Sequence, residues 1–230
     1  MSALHVAVGA LVGALLGYGG GRLVPRWLAQ EEAREPEKDE VKEPIKPFRS
    51  WEPYGLAAVT GALAGLLAYS HPLDAYFWHQ VLFLAVLTTA SVPDLHAKII
   101  PNELVLAGLG AGLILLFALP YPEKTWLQGL GGGAGAFALL LLIALVARGG
   151  MGEGDVKLAA VIGLFLGGWW GVMGLVFGFL AGGLVSGLLL LFRLVGRKDA
   201  IPFGPWLAIG AILTALYGSQ IWAWYMGMYM

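Results

Sequence analysis

Apolar runs as long as a membrane helix follow one another along nearly the whole chain, and only one interruption between them is both long and strongly charged. A helix needs about 20 apolar residues to cross a hydrocarbon core ~30 Å thick. Such runs are read at 3–20, 54–70, 77–93, 102–119, 126–147, 156–170, 171–192 and 206–228. Inside lipid, backbone N–H and C=O groups find no water, so a spanning segment is either a helix or a strand of a closed barrel. Barrel strands alternate apolar and polar residues, whereas Leu, Ala, Gly and Val succeed one another here without alternation. With 58% hydrophobic and 13% charged residues, the 230-residue chain has too little polar surface for a water-soluble domain. The expected fold is therefore all-α, a polytopic membrane protein with a bundle of about eight transmembrane helices. The first run begins at Ala3 with no basic stretch before it and leads directly into further spans. It is read as a retained helix over 1–21 and not as a cleaved signal peptide.

The sixth and seventh runs are separated only by the stretch Gly167–Gly171, which carries Trp169 and Trp170, and charge decides whether they count as two. Lys and Arg accumulate in cytoplasmic loops. With eight spans and an outside N-terminus, all of the 14 Lys and Arg residues except Lys124 fall on one side. Fusing the two runs would move Arg193, Arg197 and Lys198 to the other side. Both termini are accordingly expected outside. The loop over 22–53, mixed in charge and rich in proline, is expected as a cytoplasmic connector too short for a globular domain, followed by a seven-helix membrane domain over 54–230. The glycines in 129–137 and 178–187 are read as sites of close helix approach, where small residues replace the hydrophobic drive that lipid removes. The chain has no cysteine, which excludes disulfides and thiolate-bound zinc.

Ionisable groups at the edge of a span are costly and hence candidates for function. Asp94 follows the third run in "TTASVPDLHAKIIPNEL", and Asp155 opens the sixth in "GMGEGDVKL". Taken singly, each could cap a helix. As a pair at one depth on the cytoplasmic side, they suit acid–base chemistry, because two carboxylates a few ångströms apart share one proton. One can then activate water while the other protonates a peptide carbonyl or leaving nitrogen. Gly152 and Gly154 would let the backbone bend and a substrate strand approach.

"GGMGEGDVKLAAVIGLFLGG" (149–168) resembles the Gly-x-Gly-Asp segment of the type IV prepilin peptidases. "DLHAKIIPNEL" (94–104) resembles the family's first aspartate segment, and "KDAIPFGPWLAIGA" (198–211) is similar to the segment that opens its last span. The three motifs stand in the family's order. The resemblance implies a membrane aspartic endopeptidase of a bacterial inner membrane, with Asp94 and Asp155 as the catalytic pair. Its partner would be a prepilin or pseudopilin whose leader is cut on the cytoplasmic side, with membrane lipid around it, no nucleic acid, and neither cofactor nor metal required. Longer members carry paired Cys-x-x-Cys motifs for zinc after the first span and also N-methylate the trimmed pilin. This chain lacks them, so peptidase activity is expected and methylation is in doubt.

Neighbouring residues carry both a structural and a functional reading. Lys157 either steadies Asp155 or anchors the helix at the interface. His96 either tunes Asp94 or contacts substrate, or is an interfacial polar residue. Glu103, after Pro101 and Asn102, reads as a first-turn acid facing the helix dipole or as a substrate contact. Glu153, exposed between glycines, reads as structural or as facing the substrate. Pro202, Phe203, Gly204 and Pro205 break the chain before the last span and could shape the cleft. His5, His71 and His79 lack ligand spacing with an acid, so no metal site is expected. Two rival readings stand beside the peptidase: a proton- or ion-coupled transporter, since paired carboxylates also relay protons, and a scaffold whose aspartates only cap helices.

Overall fold

The computed structural model describes residues 3–34, 45–120, 124–147, 151–196 and 201–228. Among these residues there are eight helices, and five of them are long and apolar enough to cross a membrane. The chain is a polytopic helical membrane protein. It forms two compact units, Met1–Val105 and Leu106–Met230. The middle of the charged connector (35–44), Arg148 and the Gly149–Gly150 start of the second motif, and Lys198–Ala200 at the start of the third, lie outside the described residues.

The first unit holds α1 (Ala3–Ala33), α2 (Glu52–Ser70), α3 (Ala75–Ala97) and the first turn of α4 (Asn102–Ala118). A glycine stripe joins α1 to α2. Gly9, Gly13, Gly17 and Gly21 recur every four residues and are all buried. A Cβ at Gly13 would lie 2.6 Å from the Thr60 carbonyl oxygen, and one at Gly17 would lie 2.7 Å from that of Leu56. Backbone thus touches backbone, which in lipid supplies the packing that hydrophobicity cannot. Gly20 instead leaves room for the side chain of Thr89 on α3. Deeper in the unit the Thr60 and Thr88 hydroxyls are hydrogen bonded at 2.8 Å.

α1 does not stop where its apolar run ends. Its 31 residues rise about 46 Å at 1.5 Å each, well beyond a ~30 Å core. The segment 22–53, expected as a charged connector, is therefore helical as far as Ala33. A small apolar cluster holds these extra turns: Val24, Trp27 and Leu28 are buried against Ile45, Phe48, Val92, Ala97 and Leu104. Pro25 sits within the helix.

The second unit holds the rest of α4 with α5 (Trp126–Val146), α6 (Glu153–Leu166), α7 (Gly168–Leu191) and α8 (Gly204–Gly227). Gly132 of α5 and Gly163 of α6 are in direct backbone contact, and Gly210 of α8 meets Gly178 of α7 likewise. The turn between α6 and α7 is Gly167 alone, not the longer stretch expected, and it has φ +78° and ψ 171°. With Gly168 onward helical, the sixth and seventh runs are two helices. At that end of the unit Trp169 and Trp222 pack edge to face at 5.3 Å, and Tyr225 stacks on Trp222. Aromatic rings of this kind favour a membrane–water interface.

Candidate active site

Asp94 lies inside α3, in its last turn, and not after the helix. It is 5% exposed. Pro93, immediately before it, has no N–H to give to the helix ladder. The turn closes at Lys98, whose φ of 56° is left-handed and whose N–H donates to the Asp94 carbonyl at 2.9 Å. The chain then extends through Ile99 and Ile100 to buried Pro101, whose carbonyl accepts from Val105 N–H at 3.2 Å and so starts α4. Glu103 is exposed in the first turn of α4, where the positive end of the helix dipole favours an acid.

His96 occupies the same last turn, and its environment was not legible in the sequence. Its Nδ1 lies 2.9 Å from the Lys46 carbonyl oxygen and its Nε2 lies 2.7 Å from Glu52 Oε2. The His96 carbonyl accepts from Lys46 N–H at 3.1 Å. Glu52, the first residue of α2, also accepts from Arg49 N–H at 3.0 Å. Phe48 packs on the imidazole at 5.7 Å. A first-turn acid just before Pro53 is an ordinary helix-start signal, so Glu52 could have been found as such; its bond to a histidine 44 residues away could not.

In the second unit Asp155 is the third residue of α6 and is 7% exposed. The N-cap is Gly152, so the capping position proposed for Asp155 belongs to a residue three places earlier. Asp155 N–H donates to the Gly152 carbonyl at 3.2 Å. A Cβ on Gly152 would lie 3.3 Å from Asp155 Oδ2, so the carboxylate folds back over the bare start of its own helix. Gly154 lies between the two acids of this turn. Glu153 is exposed and accepts from Lys157 Nζ at 3.2 Å, one helical turn on. Lys157 thus salt-bridges Glu153.

The third motif frames the start of α8. Phe203 is the N-cap, Gly204 is buried as the first helical residue, and Pro205 follows within the first turn, where the missing N–H costs nothing. Pro202 precedes them, half-buried. The Phe203 ring packs on Phe179 of α7 at 5.0 Å and fills a notch at Gly182, where a Cβ would come within 2.8 Å of it.

Residues 81–192, which include both buried aspartates, match the model of the type IV leader peptidase family. A Prepilin leader peptidase/N-methyltransferase of Bacillus subtilis (strain 168) is 33% identical over 178 residues, covering 74% of this chain and 68% of that protein. The chain belongs to the type IV leader peptidase family. Enzymes of the same description from Pseudomonas putida and Stutzerimonas stutzeri are 34% and 31% identical over 142 and 173 residues, or 60% and 72% of this chain. The chain spans 49% and 58% of those two leader peptidase relatives. No solved structure matches it.

Proposed function

We propose that this family member is a membrane-embedded aspartic endopeptidase that removes the cytoplasmic leader of a type IV prepilin or pseudopilin. Asp94 and Asp155 would be its catalytic pair. The observation that carries the reading is that both carboxylates, within the matched segment, are withdrawn from solvent, at 5% and 7% exposure. An acid held at that burial with no catalytic or structural return would be costly. In the reaction, the ionised carboxylate takes a proton from water as the water oxygen attacks the scissile carbonyl carbon. The protonated carboxyl donates to the carbonyl oxygen. Collapse of the resulting diol breaks the C–N bond, the amine leaving with a proton. Either member of the pair could begin as the base.

The remaining motif residues would shape the place where the leader lies. By the family resemblance of their motifs, Gly152 and Gly154 would leave room for an extended chain, Glu153 and Lys157 would contact it, and Pro101, Glu103 and the Pro202–Pro205 turn would help to shape its path. By the distribution of Lys and Arg, both termini face outward and the aspartates face the cytoplasm of a bacterial inner membrane. The names of the relatives also include methyl transfer. Without cysteine, the paired Cys-x-x-Cys zinc site of longer members does not fit this chain, and the proposal covers cleavage alone.

The test uses detergent-solubilised full-length chain with the prepilins encoded in the same genome, leaders intact. Wild type should shorten a substrate, while Asp94→Asn and Asp155→Asn should not. Equal processing by all three, or none by wild type, removes the proposal. Mass spectrometry of the trimmed N-terminus should show no added ~14 Da methyl increment.

A further inference from the structure

We propose that Glu52 and His96 are positioning residues that clamp the end of the connector, residues 45–52, onto the last turn of α3 and so fix Asp94. This rests on the reading of Asp94 as catalytic. The last turn of a helix leaves carbonyls without intrahelical partners, and Pro93 weakens the ladder just before the aspartate. The connector supplies what the helix lacks. Lys46 N–H donates to the His96 carbonyl at 3.1 Å, and the His96 ring returns a bond to the Lys46 carbonyl at 2.9 Å.

A backbone carbonyl only accepts, so Nδ1 carries a hydrogen. Nε2 then faces Glu52 Oε2 across 2.7 Å, a short hydrogen bond. Both side chains are largely shielded, at 13% and 15% exposure. Glu52 closes the loop by accepting from Arg49 N–H at 3.0 Å. Ile45 and Phe48 of the same stretch pack on Val24, Trp27 and Leu28 of the α1 extension, together with Val92, Ala97 and Leu104, on either side of Asp94 in sequence. The segment bearing Asp94 is thus tied to the connector by polar bonds at one point and apolar packing at another. An acid that must share a proton tolerates little displacement.

The test is a double-mutant cycle on the full chain in detergent, assayed on prepilins of the same genome. Glu52→Ala and His96→Ala should each lower kcat about tenfold, with KM unchanged and the thermal unfolding midpoint close to wild type. The double variant should lose clearly less than the two single losses combined, because both remove the Glu52–His96 bond. Glu52→Gln, which keeps an acceptor for Arg49 N–H and a partner for the imidazole, should recover most of the lost kcat. Wild-type kcat in the single variants, additive losses in the double, or losses that track the unfolded fraction would each overturn the claim. Asp94→Asn runs alongside. If it cleaves like wild type, the reading of Asp94 fails and takes this claim with it; if it is inactive while Glu52→Ala and His96→Ala match wild type, only the clamp fails.

Discussion

Lys124 donates from its buried ammonium to the carbonyl oxygen of Phe165 at 2.9 Å, capping the last turn of α6. A cation suits the negative end of a helix and satisfies a carbonyl that the helix leaves open. Asp155 lies in the first turn of that same helix, ten residues before Phe165. The two ends of a 14-residue helix, about 21 Å long and shorter than a ~30 Å core, are therefore each occupied by an ionisable side chain.

Burial lowers the Lys124 pKa from 10.5 to about 8. Between those values the unfolded chain binds more protons than the folded one, so this residue's contribution to stability rises with pH from about 8 to 10.5 and is flat below. The rise is on the order of 3 kcal/mol, set by 1.36 kcal/mol per pKa unit. Unfolding in detergent across that pH range should show wild type gaining on Lys124→Met as pH rises. A constant difference would contradict the shifted pKa.

Gly167 allows the chain to reverse between α6 and α7 at a single residue. Its φ of +78° with ψ of 171° lies in a region that glycine alone adopts readily. Gly167→Ala should cost about 1–3 kcal/mol, read as a lower unfolding midpoint. An unchanged midpoint would mean the turn has another accessible shape.

Gly163 and Gly131 give a matched pair of probes. A Cβ at Gly163 would collide with the Gly132 carbonyl, whereas one at Gly131 meets nothing within 4 Å. Gly163→Leu should force α5 and α6 apart and cost at least about 2 kcal/mol, while Gly131→Leu should sit within about 0.5 kcal/mol of wild type. Equal behaviour of the two variants would count against the close α5–α6 contact.

Asp74 caps α3, its Oδ1 accepting from Phe77 N–H at 3.0 Å. Asp74→Ala should cost about 1 kcal/mol, and Asp74→Asn, which keeps an accepting oxygen, much less. Comparable losses in both would show that charge, and not the bond, matters at this end.

Most of the helices were legible because hydropathy is local: an apolar run declares a helix whatever its neighbours do, and tertiary packing only trims the ends. The runs expected at 102–119 and 126–147 became Asn102–Ala118 and Trp126–Val146. α1 failed this rule beyond Gly21, because 22–33 is sustained by Val24, Trp27 and Leu28 finding apolar partners up to 80 residues away. The positions of Asp94 and Asp155 at helix ends were legible too, but their orientation was not. The bond from Lys157 to Glu153, one helical turn back, is likewise a matter of side-chain orientation.

What the sequence alone determined is the membrane class, the eight helices among the described residues and the family motifs, since lipid demands long apolar segments and those motifs are contiguous. Only the tertiary structure decided that Glu52 binds His96, that Lys124 caps the helix of Asp155, and which glycines touch. Those are contacts between distant stretches, and no local pattern of residues encodes which stretch a side chain will meet once the chain has folded.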